Sequence, residues 1–120
     1  MVTELKSSKE LQEEFQNKLD HAENLLLGEQ PDYQQAAKVA NEVLAKSANN
    51  MRALIILANA MVFSDNIGTA LKICDYIKKL YPDSNLGYKY AAEAYLKIDD
   101  KQNYHKQLKE AFERGQRDFD

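Results

Sequence analysis

The chain has no tryptophan, one cysteine, two prolines and four glycines among its 120 residues. So little proline and glycine leaves too few turn signals for a many-stranded β protein. The lone Cys74 excludes an internal disulfide framework and a cysteine-based zinc site. No apolar run approaches the ~18 residues of a membrane span. The opening residues, Met1-Val2-Thr3-Glu4-Leu5-Lys6, lack the apolar stretch of a signal peptide. A cytoplasmic protein without membrane insertion is therefore expected. Neither sign of charge dominates: sixteen Lys+Arg face nineteen Asp+Glu, a formal net charge of −3. A bulk nucleic-acid binder would be basic overall, so nucleic acid is not expected as a partner. Phosphate-cradling glycine loops, nucleophile elbows and paired-carboxylate motifs are also missing. No cofactor, no metal and no enzymatic activity are expected.

What is present is an apolar fraction of 44%, enough for one packed domain. Its spacing is helical. Leu11, Phe15, Leu19, Ala22 and Leu26 recur at steps of three and four, one stripe on a long first helix. Ser7 with Glu10 forms a capping-box pattern at its start, and Gly28 is placed to end it. A second helix follows Asp32 and ends near Ser47-Ala48-Asn49-Asn50. A third covers 51–63, and Ser64-Asp65-Asn66 makes the next turn. The fourth, 67–81, is apolar over a wide arc and stops before Pro82, which cannot continue it. The fifth covers 86–97, and a sixth begins at Asp99-Asp100 and is expected to close at Gly115. The fold class is all-α: about six helices joined by short turns, which makes neighbours antiparallel.

Sliding the chain against itself reveals a period of 34 residues. Ala36 meets Ala70, Ala40 meets Cys74 and then Leu108, and Val43 meets Ile77 and then Ala111. Leu54 meets Tyr88, Ala58 meets Ala92, and Met61 meets Tyr95. The first helix joins this register when the loop Gly28-Glu29-Gln30-Pro31 is one residue longer. Three helix–turn–helix units of this length resemble the tetratricopeptide repeat family. The second unit carries the resemblance best, with Leu54, Leu57-Ala58, Met61, Ala70 and Pro82 at the family's signature positions. Asp32-Tyr33 and Ala36 in the first unit, and Tyr88, Ala91-Ala92 and Tyr95 in the third, are similar. Tyr104 and Glu23 depart from it, standing where small residues belong, and no proline ends the third unit.

The resemblance implies an α-solenoid with repeats at about 15–50, 51–84 and 85–118, in one domain over 9–118 after a flexible arm at 1–8. The sixth helix has only a narrow apolar stripe, Tyr104, Leu108, Ala111 and Phe112, so the third repeat is expected to be the last. The family's groove is lined by the first helix of each repeat. The resemblance therefore implies a concave partner-binding face of Asp20, Asn24, Arg52, Ile55, Asn59, Phe63, Leu86, Lys89, Tyr90 and Glu93. Ile56, Val62 and Tyr90 belong either to that face or to the inter-repeat core. Asn24 and Asn59 share one inner slot, where an amide can both donate to and accept from a peptide main chain. The implied function is a protein–protein interaction module, an adaptor or scaffold holding a peptide or amphipathic helix.

Two other readings compete. Leu11 and Phe15 on the extended first helix either cap the first repeat or dock on a second copy, making a homodimer. A small acidic domain of this type also resembles dedicated secretion chaperones. Catalysis has little to stand on, since His21, Cys74 and His105 fall on different repeats and Cys74 lies in an apolar arc. The family's grip on the acidic C-terminal tails of heat-shock chaperones needs Lys and Asn, then Asn, then Lys and Arg; here those slots hold Asp20, Asn24, Ile56, Leu86 and Tyr90. One of five matches, and Asp20 has the wrong sign. Titration with an acidic C-terminal peptide should accordingly give no salt-sensitive micromolar binding; such binding would contradict this reading.

Overall fold

A computed structural model describes residues 7–117. Six helices follow one another: α1 (Ser8–Leu26), α2 (Tyr33–Lys46), α3 (Met51–Phe63), α4 (Ile67–Leu80), α5 (Leu86–Lys97) and α6 (Lys101–Arg117). Among the described residues there is no strand. Residues 1–6 of the expected arm lie outside the described residues, whereas Ser7 and Ser8 already belong to the start of α1. Short polar side chains start the helices as their chemistry requires. The Glu10 N–H donates to Ser7 Oγ at 3.1 Å, Gln35 N–H to Asp32 Oδ1 at 3.0 Å, and Ala53 N–H to Asn50 Oδ1 at 3.0 Å. Asn103 N–H does the same to Asp100 Oδ1 at 3.1 Å.

The 34-residue offset holds in the backbone. Asp65 and Asp99 both adopt the left-handed conformation, with φ of 66° and 57°. In both turns the next residue reaches back to the preceding helix: Asn66 N–H to the Met61 carbonyl, and Asp100 N–H to the Tyr95 carbonyl. The other turns match as well, Ser47 N–H bonding the Val43 carbonyl as Tyr81 N–H bonds that of Ile77. The break comes between α1 and α2. Three residues join α3 to α4 and α5 to α6, but six (27–32) join α1 to α2. One residue of the difference is the register insertion expected from the sequence, and the other two arise because α1 stops early, at Leu26, with Gly28 turning the chain at φ of 90° two residues later.

Each helix packs on the next in the chain, and α3 touches α1 and α5 as well. The even-numbered helices keep their backbones apart, α4 and α6 meeting only through side chains where Lys78 Nζ donates to Gln107 Oε1 at 2.8 Å. The odd-numbered row is therefore the tighter, inner row, and α3 at its centre packs on four neighbours. The radius of gyration, 15.8 Å, exceeds the about 14 Å of a compact chain of this length, as an extended stack should. Three core clusters run along it. Leu19, Ala22, Val39, Val43 and Ile56 join α1, α2 and α3; Ala58, Cys74 and Ala91 join α3, α4 and α5; Val62, Ala70 and Ala94 close the end of that second interface. Ile56 and Val62 are thus core, not groove. Phe15 packs on the first cluster from α1, which covers it within the same chain.

The far end departs from expectation. Gly115 does not close α6, which runs on to Arg117. Along its apolar stripe Ala111 is buried, but Leu108 is 43% and Phe112 67% exposed, because the backbone of α6 approaches α5 alone and α6 meets α4 only at the Lys78–Gln107 hydrogen bond. That contact is reinforced by cations. The Tyr88 ring has Lys78 Nζ 4.5 Å and the Arg114 guanidinium 3.9 Å from its centroid. Arg114 also donates to the Pro82 carbonyl and to Glu110.

Glycine separates two kinds of position here. A Cβ on Gly87 would lie 2.8 Å from Lys78 Cγ and 3.1 Å from the Cys74 carbonyl oxygen, so α4 and α5 approach as closely as they do because no side chain intervenes. On Gly68, at the start of α4, it would meet nothing within 4 Å. Gly68→Ala should stabilise the fold by about 0.5–1 kcal/mol through helix propensity. In Gly87→Ala the same gain is outweighed by about 1–3 kcal/mol of crowding. Chemical denaturation of the two variants should give shifts of opposite sign.

Candidate binding groove

On the inner row, α1, the long α1–α2 loop, α3 and α5 enclose an open pocket of about 480 Å³. Leu26, Gly28 and Pro31 form one wall, Tyr33 and Phe63 a second, and Asn59, Lys89, Tyr90 and Glu93 the floor and far side. The unusual length of the α1–α2 loop supplies the first wall. Tyr33 and Phe63 stack with centroids 5.9 Å apart and planes 22° apart. Phe63 keeps 45% of its surface exposed even so.

Five of the ten residues expected to bind a partner line this pocket: Asn59, Phe63, Lys89, Tyr90 and Glu93. The other five do not. Asp20 and Arg52 engage each other: Arg52 donates from Nε and Nη2 to Glu23 at 2.6 and 2.9 Å, and from Nη2 to Asp20 at 2.5 Å. This fork explains why Glu23 stands where a small residue was expected. The hydrogen bonds from Arg52 hold the Glu23 carboxyl below its usual range and push the Arg52 guanidinium upward. Asn24 is exposed on α1, clear of the pocket. Ile55 is half-buried outside it, and Leu86, also half-buried, begins α5 with its N–H bonded to Ser84 Oγ. Leu26, Gly28, Pro31 and Tyr33 were missed. Their signal lay in the broken repeat register, which marked an insertion at the mouth of the groove.

Outside the pocket several polar side chains pair off: Lys18 with Glu42 at 3.2 Å, Lys97 with Asp65 at 3.5 Å, Tyr76 with Asn49. Among the described residues, no hydrogen bond engages the Asn59 amide, and neither a hydrogen bond nor an ion pair engages the Glu93 carboxylate. Burial pushes the Glu93 carboxyl up, opposed by the nearby Lys89 ammonium. Lys89 itself lies with Nζ 5.6 Å from the Tyr90 ring centroid. The other half of the chemical inventory is inert. Cys74 is fully buried and its thiol is pushed up to about 12 by desolvation, the opposite of an activated nucleophile. No cluster of three or more His, Cys, Asp or Glu side chains that could hold a metal ion occurs among the described residues.

No protein-family model and no curated protein matches the chain.

A carboxyl whose proton is held more tightly in the folded state costs stability once it ionises. For Glu93 the folded value is raised, so its stabilising contribution is full below the unfolded carboxyl range and is lost as pH rises through the folded value. Glu93→Gln should therefore raise the melting temperature at pH 7. The difference from wild type should shrink toward zero below about pH 4, near the unfolded glutamate value. Melts at both pH values check this.

Proposed function

We propose that the chain is a non-catalytic protein-binding module of the tetratricopeptide type, an adaptor that holds an extended segment of a partner protein on its inner row. One observation carries the reading: the inner-row pocket presents the Asn59 amide and the Glu93 carboxylate, neither held by a hydrogen bond among the described residues, beside the stacked Tyr33 and Phe63 rings. Both groups are within reach of solvent, so a ligand can replace their hydrogen bonds to water without first breaking one within the protein. Asn59 is suited to a peptide main chain, because its amide offers one acceptor and two donor hydrogens. Tyr33, Phe63 and Tyr90 offer flat, rigid contact area of the kind that dominates binding energy. The 34-residue recurrence of turns supports the family, and the packing of small residues on the inner row supports the groove. A pocket of about 480 Å³ suits side chains of an extended segment better than a whole helix, which is about 10 Å across. The self-association reading loses its first foothold, since Phe15 packs on its own chain.

Selection from a displayed library of random peptides tests the reading. Wild-type protein should enrich a related set of peptides. Asn59→Ala combined with Phe63→Ala should weaken their binding by about tenfold or more. Because Phe63 is already exposed, the double variant should melt close to wild type. Peptides that bind both proteins equally would place binding elsewhere, and an empty selection would remove the reading.

A further inference from the structure

We propose that this pocket is the subsite for a basic side chain of the bound segment, an arginine or lysine whose cation lies against the aromatic rings and pairs with the Glu93 carboxylate. The inference rests on the groove reading and adds to it the chemistry of one ligand residue.

Three observations converge. First, Glu93 is the acidic group of the pocket, half-buried and without a hydrogen bond or ion pair among the described residues. Partial burial weakens screening by water, so an incoming cation interacts with it more strongly than with a carboxylate on the open surface. Second, the rings at the mouth already attract the chain's own ammonium groups. Lys89 Nζ lies 5.6 Å from the Tyr90 centroid and Lys97 Nζ 6.0 Å from that of Phe63. Third, the fold uses the same combination elsewhere: Arg114 lies over Tyr88 at 3.9 Å and donates to the Glu110 carboxylate. A guanidinium fits such a site because its plane stacks on a ring while its edge donates to a carboxylate.

Lys89 is the apparent obstacle, a like charge one helical turn from Glu93. It is exposed, makes no ion pair with Glu93 among the described residues, and sits over Tyr90 instead. A ligand cation would displace it to solvent and take its place on the ring. Lys97 is held by Asp65 at 3.5 Å and stays at the rim. Lys89 is thus an internal competitor, and this makes the two substitutions diverge.

The probes are three capped pentapeptides with a central arginine, lysine or glutamate flanked by alanines, titrated into ¹⁵N-labelled protein. The arginine and lysine peptides should shift the amide signals of Asn59, Phe63 and Glu93 saturably, and the glutamate peptide should not. Glu93→Gln should weaken the arginine peptide about tenfold or more. Lys89→Ala should tighten it severalfold. A pocket for an anion would reverse all three signs, with the glutamate peptide preferred, Glu93→Gln tightening and Lys89→Ala weakening, and would overturn the inference. If none of the pentapeptides binds, while peptides selected from the library still require Asn59 and Phe63 and carry no recurrent basic residue, the inference falls and the groove reading stands. If the library selection fails as well, both fall.

Discussion

Close approach of helices along the inner row is the constraint on which the rest of the structure depends. It is made possible by small side chains. Ala58 on α3 packs with Ala91 on α5, and Ala53 on α3 shares a core with Ala22 on α1, all essentially solvent-free. Gly87 brings α5 onto α4 at a distance that even one added carbon would contest. With the backbones of the odd-numbered helices in contact and those of the even-numbered ones farther apart, the stack has a tight face and a loose face. The tight face brings residues of α1, α3 and α5 within reach of one ligand. The large residues, Leu19, Leu54, Ile56 and Ile77, fill what remains between layers and supply most of the burial.

The same geometry sorts the polar groups. Where α1 and α3 run side by side, Arg52 meets Glu23 and Asp20, and the opposite charges neutralise one another. Near Asn59 the six-residue α1–α2 loop, against three in the α3–α4 and α5–α6 turns, contributes Gly28 and Pro31 to the pocket lining. Within that pocket neither Asn59 nor Glu93 has a side-chain hydrogen bond among the described residues. Among the described residues no fully buried side-chain polar atom lacks a hydrogen bond. Unmet polar chemistry is confined to surfaces that solvent or a ligand can reach, as the cost of desolvation requires.

Much of the fold was legible in advance. The bounds of α3 and α5 follow from apolar spacing and turn residues alone, and the starts of α1 at Ser7 and of α2 at Asp32 follow from side-chain chemistry. The end of α6 was not legible: Gly115 reads as a terminator, yet its helix continues with Asn85 facing it at 3.4 Å from where a Cβ would stand. A glycine within a helix is a cost that packing can offset, and local sequence does not reveal when it does. The lining of the inner-row pocket was half legible. A register argument finds inner-row residues, but it cannot tell Asn59, which lines a pocket, from Ile55, which does not.

The amino-acid sequence by itself determined the helices, their period and their antiparallel order, because these depend on contacts a few residues apart and on the alternation of small and large side chains. Which charges meet and which stay unpaired was decided by tertiary structure alone. Arg52 and Glu23 lie 29 residues apart, and the Tyr33 and Phe63 rings, on α2 and α3, stack only once those helices are packed side by side. Such pairings depend on the lateral placement of whole helices to within a few ångströms, a quantity that the packing of the inner row sets.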